Sequence, residues 1–196
     1  MTEISRNVVH TVSFFQTAFT IILALALGEA LKQFVSDGEE HPVHWDKLPS
    51  FLSFLLIIFP FFQGMGQFMF ETYLNPATAL KSPEGFLMFD GVAFLLESAI
   101  FFVMSRSLSA KHWRRYYGAV LLLLFADSIW AGVTYLRGIH VGFWLVLNAI
   151  LAAVLLAVLW WEDRTRETLR PSIICAATVS LTTMASYIEM NSFYFS

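Results

Sequence analysis

Seven polar residues interrupt otherwise apolar runs of this chain: Gln63, Gln67, Asp90, Glu97, Asp127, Asn148 and Glu189. Carboxylates set in apolar sequence have a short list of uses: they bind cations, relay protons, or tie one helix to another by hydrogen bonds. Their spacing shows which of them share a surface. Gln63, Gln67 and Glu71 recur every four residues, which places them on one face of a helix. Asp90 and Glu97 are seven apart, two turns along one face. Asp127 shares its stripe with Ala131 and Thr134; Thr178, Thr182 and Glu189 form another, with Ser186 beside it. Pro60 lies on the stripe of the glutamines and cannot donate a backbone hydrogen bond, so a kink is expected there. Gly64 and Gly66 remove side chains next to that stripe, so a second backbone is expected to come close.

Other chemistries find little support. The chain contains no G-x-S-x-G, H-E-x-x-H or Asp-rich metal motif. His41 and His44 make an H-x-x-H in a turn-rich loop with Pro42 between them, whereas a zinc site needs three or four convergent ligands. No metal and no cofactor is implied. Cys175 is the single cysteine, set in an apolar segment, so it is a packing residue and no intrachain disulfide forms. His10 and His140 fall at segment ends, where interfacial residues collect. Glu97 and Asp127 are the one pair suited to acid–base work, and enzymatic activity is not expected.

The elements that position these residues are six apolar segments, at about 11–35, 50–73, 85–105, 116–136, 140–161 and 172–194. Each exceeds the ~20 residues a helix needs to cross a hydrocarbon core of ~30 Å. The last is the least apolar, which leaves five spans as the alternative. The chain has 196 residues, of which 57% are hydrophobic and 14% charged. Globular domains run at roughly 45–50% and 25%. The expected fold is therefore an all-α, polytopic transmembrane helical bundle, a single integral membrane domain over 1–196 with no soluble domain. The amino terminus has no basic cluster before its first apolar run and no A-x-A site after it, so that run is expected to stay in the membrane. A very short turn at Arg137 and Gly138 makes the fourth and fifth segments antiparallel neighbours. Glu29 and Lys32, three apart, are placed to pair. Trp160 and Trp161 suit an interfacial belt.

Basic residues set the expected orientation. Lys32, Lys47, Arg106, Lys111, Arg114, Arg115, Arg164, Arg166 and Arg170, nine in all, follow the odd segments, against three, Arg6, Lys81 and Arg137, on the other side. The odd loops are then cytoplasmic and both termini outside, as in a multi-pass protein of a bacterial inner membrane. Gln67, Glu71, Asp90, Asp127, Asn148 and Glu189 fall in the outer half, with Gln63 and Glu97 near the middle, and no lysine or arginine inside that half to pair with the acids. This pattern points to an outward-facing polar cavity above an apolar inner floor. An isolated carboxyl out of water favours its neutral form, so at least one of Glu97 and Asp127 is expected to keep its proton at neutral pH and to donate a hydrogen bond to Gln63 or Gln67.

Two functional classes fit. One is transport or conduction of a proton, a cation or a small cationic solute through the acidic site. The other is a non-transporting sensor, assembly or scaffold subunit of a larger complex. The partners these features allow are the lipid bilayer, a second copy of the chain, or a cytoplasmic protein at the basic loops. The net charge of −3 and the lack of a basic run exclude nucleic acid.

Overall fold

The computed structural model describes residues 6–35, 43–76, 84–108, 113–139, 141–161 and 169–189. Among these residues the chain is an all-α bundle: α1 (Arg6–Phe34), α2 (Leu48–Met69), α3 (Glu84–Arg106), α4 (Trp113–Leu136), α5 (Gly142–Trp161) and α6 (Leu169–Glu189). Six helices are long and apolar enough to cross a membrane, the sixth included. In hydrocarbon every backbone polar group needs an internal partner, which favours helices for such runs. His41, Lys81, Lys111, His140, Arg164, Arg166 and positions 190–194 lie outside the described residues.

α1 shows how sequence sets the inward face. Val8, Val12, Phe15, Phe19, Leu23, Ala26 and Ala30 are buried, stepping by three or four residues. Phe14, Ile21 and Leu25, on the other face, are exposed. That pattern of large exposed apolar side chains recurs on every helix and makes the outside of the bundle a surface for lipid rather than water. α1 starts earlier than its most apolar stretch because Val8 and Val12 already belong to the buried stripe. Trp45, Trp160 and Trp161, all exposed, lie at one end of the bundle, as an interfacial belt requires.

α2 follows a short 3₁₀ turn, Trp45–Lys47, and carries Pro49 in its first turn, where the missing N–H is no loss. It runs through Pro60 and hands over to a π-helical turn, Phe70–Leu74. The ends of α1 and α2 are tied together. His44 N–H donates to the Phe34 carbonyl at 3.0 Å, Lys47 Nζ donates to the Gln33 carbonyl at 2.7 Å, and Phe34 stacks on Phe51 at 4.4 Å. Glu29 does not pair with Lys32; it accepts from Gln33 Nε2 at 2.9 Å, one full turn on.

The helices form a ring in the order α1, α3, α4, α5, α6, α2, and α2 returns to α1. The α1–α3 contact is the most extensive. Its closest point is Gly91, where a Cβ would sit 2.4 Å from the ring of buried Phe15. The close approach expected at Gly66 is not found: a Cβ there would meet nothing within 4 Å. α4 and α5 are antiparallel neighbours, as the short turn requires. Gly138 has φ +84°, Ile139 N–H donates to the Thr134 carbonyl at 3.4 Å, and Gly138 N–H donates to the Tyr135 carbonyl at 2.9 Å. This is the Schellman arrangement, with glycine in the left-handed position after the helix.

Candidate functional site

The polar residues do not gather into one site. Asp90, in the second turn of α3, is fully buried and takes hydrogen bonds on both oxygens. The Tyr73 hydroxyl and Trp130 Nε1 donate to it, the latter at 3.0 Å, and Arg137 Nη1 reaches both oxygens at 3.1 and 3.0 Å. The carboxylate's side chain is 0% exposed and the arginine's 7%, so this is a buried ion pair. Arg137 also lies over the rings of Phe86, at 4.3 Å, and Phe89, at 5.0 Å. Phe86, Phe89 and Asp90 stand at i, i+3 and i+4 on α3, so one helical face supplies two aromatic faces and the counter-charge. The acids therefore do have a base among them. Arg137 is the C-cap residue of α4, and the Schellman turn folds it back onto α3 instead of leaving it with the loop. The π-helical turn does the same for Tyr73, which is buried although it lies beyond the end of α2. Asp90 is thus saturated: it joins α2, α3, α4 and the α4–α5 turn, and its lone pairs are already in use.

Asp127 is placed differently. It lines a partly open cavity of about 160 Å³ between α2, α4, α5 and α6. Asn148 Nδ2 donates to Asp127 Oδ2 from α5, and both residues face the cavity. α2 contributes Pro60 and Gly64, and α6 contributes Thr182, Thr183 and Ser186. Four aromatic residues, Phe61, Phe94, Trp130 and Trp144, complete much of the wall. Asp127 is nine residues from the end of α4, roughly 14 Å along the axis, so it lies well inside the apolar span. The two sites are joined through Trp130: its indole N–H is fixed on Asp90 while its ring forms cavity wall. A larger, apolar hollow of about 650 Å³ lies on the outer seam of α2 and α6, and Pro60 lines both.

Glu97 stands apart again. It is 1% exposed, and neither carboxyl oxygen has a hydrogen-bond partner. Asp127 lies within electrostatic range of it. The hydrogen bond expected from Glu97 or Asp127 to Gln63 or Gln67 is not formed. Glu97 has no partner, and Asp127 is bonded to Asn148. Gln63 and Gln67 are half-buried outside the cavity wall: α2 lines it with Ile57, Pro60, Phe61 and Gly64, so of the expected stripe only Pro60 reaches the cavity. Gln67 instead donates to Glu71 at 3.2 Å, and Asn75 donates to the other Glu71 oxygen at 2.6 Å. Glu189 closes α6, and its side chain lies outside the described residues.

No protein family model, curated protein or solved structure matches the chain. What the site can do follows from its own geometry.

The opposite end of the bundle carries a buried polar cluster too, this one of neutral hydroxyls. The Tyr117 hydroxyl donates to the Ser172 carbonyl at 3.0 Å and lies 3.1 Å from Ser53 Oγ, and Ser50 and Ser172 are 3.4 Å apart. These hydroxyls, all buried, fasten the first turns of α2, α4 and α6. The floor expected to be apolar is thus closed by a knot of neutral hydrogen bonds. Sequence spacing singled out Asp127, Asn148, Pro60, Gly64, Thr182 and Ser186, which the fold brings to one cavity. It missed Trp130, Trp144, Phe61 and Phe94, whose only signal was aromatic abundance in apolar runs. It also missed Gly91, the close-packed glycine, and Tyr73, the partner of Asp90. Among the described residues no group of three or more His, Cys, Asp or Glu is placed to hold a metal ion.

Proposed function

We propose that this membrane protein binds a cation at Asp127 and carries it across the bilayer, the substrate being a proton, an inorganic cation or a small cationic solute. One observation supports this most directly: well inside an apolar span, a carboxylate whose partner is the neutral amide of Asn148 opens onto a cavity. Asp90 has an arginine and two further donors, whereas Asp127 has no cationic partner among the described residues. A carboxylate at this depth needs a counter-charge or a proton, and a cavity lets one enter and leave. Glu97, buried nearby and without a hydrogen-bond partner among the described residues, is a second group that can hold or release a proton as Asp127 is loaded.

The experiment is flux in proteoliposomes under an imposed pH gradient or voltage. Asp127→Asn keeps shape and hydrogen bonding and should abolish flux while thermal stability in detergent stays at the wild-type value. Absence of flux in the wild type for protons, alkali cations and small ammonium ions alike would set the transport reading aside. The alternative is a non-transporting sensor or scaffold subunit in which the cavity only reports its ligand. The hydroxyl knot and the Asp90 cluster favour it, because they hold α2 and α4 together at both ends. In that case Asp127→Asn would leave vesicle permeability unchanged and alter only ligand binding.

A further inference from the structure

The walls of the cavity decide which kind of cation it suits; this assignment rests on Asp127 being a cation site. The volume is about 160 Å³. An engineered cavity of roughly 150 Å³ takes up benzene, so an occupant of about six non-hydrogen atoms fits here. A bare metal ion would leave most of that space empty, and a proton needs no cavity at all. Hard divalent cations also collect roughly six to eight oxygen ligands. This wall is mostly apolar, and of its hydroxyls Thr182 Oγ1 is already bonded to its own helix at Thr178 O, 3.0 Å away. Aromatic faces attract a cation that has shed its water, and do so best for a diffuse charge carried by alkyl groups. Trp130 and Trp144 line the cavity around a carboxylate that has no cationic partner among the described residues.

We propose that the cavity takes a small organic ammonium ion, of about the size of tetramethylammonium, with its charge on Asp127 and its alkyl groups against Trp130 and Trp144. The Asp90 cluster positions this wall from outside, since Trp130 cannot turn its ring without breaking its bond to Asp90.

The test is equilibrium binding of radiolabelled tetramethylammonium to the purified full chain in lipid nanodiscs, with tert-butanol as a neutral competitor of similar shape and sodium as an inorganic one. Saturable binding is expected in the wild type. It should weaken roughly tenfold or more in Asp127→Asn and several-fold in Trp144→Leu, in line with the size of a desolvated cation–π contact. Trp144→Phe keeps an aromatic face and should stay within about threefold of the wild type. Neither excess sodium nor tert-butanol should compete. Equal competition by tert-butanol, or binding untouched by Asp127→Asn, would overturn the assignment, because the cavity would then be an apolar pocket. Proton or sodium flux that needs Asp127, without tetramethylammonium binding, would overturn the ammonium class and leave the cation site standing. Neither flux nor binding in a wild type with normal thermal stability would remove both.

Discussion

Three carboxyl groups in one bundle meet three environments, and each gives a different expectation. Asp90 is charged and paired. Breaking a buried pair from one side costs about 3–5 kcal/mol, because the survivor is left uncompensated. Asp90→Asn or Arg137→Gln should each destabilise the protein by an amount of that order in detergent unfolding, and the double variant by clearly less than the sum of the two. Additive effects would show that the pair is not a unit. Glu97 has neither a charge partner nor a hydrogen-bond partner. An ionised carboxylate so placed is far costlier than a neutral one, so Glu97 should hold its proton at neutral pH. The infrared spectrum should then show a protonated carboxyl band that Glu97→Gln removes; a wild-type spectrum without such a band would refute this. Replacing an unsatisfied buried polar group by an apolar one of similar shape is close to neutral or stabilising. Glu97→Met should therefore match or exceed the wild type in thermal stability, as expected of a group retained for chemistry rather than for packing.

At the scale of helices, the bundle depends on a few places where an element ends or narrows. The π-helical turn and the Schellman turn re-aim Tyr73 and Arg137, so two side chains that would otherwise belong to loops become buried partners of Asp90. The narrowest seam is α1 against α3 at Gly91. Gly91→Ala would drive a methyl into the Phe15 ring, which is packed and cannot swing away, and overpacking of this kind costs roughly 1–3 kcal/mol. The loss should appear as a lower unfolding temperature and should be recovered in part by Phe15→Leu. A Gly91→Ala variant as stable as the wild type would mean that the two helices part more easily than their contact implies. No comparable cost attaches to Gly66, whose surroundings are open.

For the molecule as a whole, two fastenings flank one cavity. The charged cluster on Asp90 closes the end that carries the amino terminus, the serine–tyrosine knot closes the other, and Asp127 lies between them. The nine-to-three split of basic residues predicts that the end with the hydroxyl knot faces the cytoplasm. A cysteine at Ser107 should then resist a membrane-impermeant thiol reagent in intact cells, and one at Ser82 should react. Native Cys175 is buried and adds no background. The reverse labelling would invert the protein in the membrane and place the Asp90 cluster on the cytoplasmic side.

Some of this was settled by composition and spacing alone. Helices were legible because a span needs only length and apolarity, properties that a one-dimensional count contains. The cavity residues Asp127, Asn148, Pro60 and Gly64 stood out because a polar, proline or glycine residue in a lipid-like run is costly or disruptive unless it faces protein. Rotation of each helix about its own axis was not legible. α2 is so apolar that its glutamine stripe reads as the inward face, yet packing against α6 and α1 turns Ile57, Phe61 and Gly64 to the cavity beside Pro60 and leaves Gln63 and Gln67 out of its wall. Arg137 shows the same limit at a helix end. By sequence it is a loop cation that helps to set topology; in the fold it caps α4 and its side chain reaches Asp90 on α3. Spacing reports which residues share a helix face; which face meets which depends on side-chain packing between segments distant in the chain, and only the tertiary structure decides that.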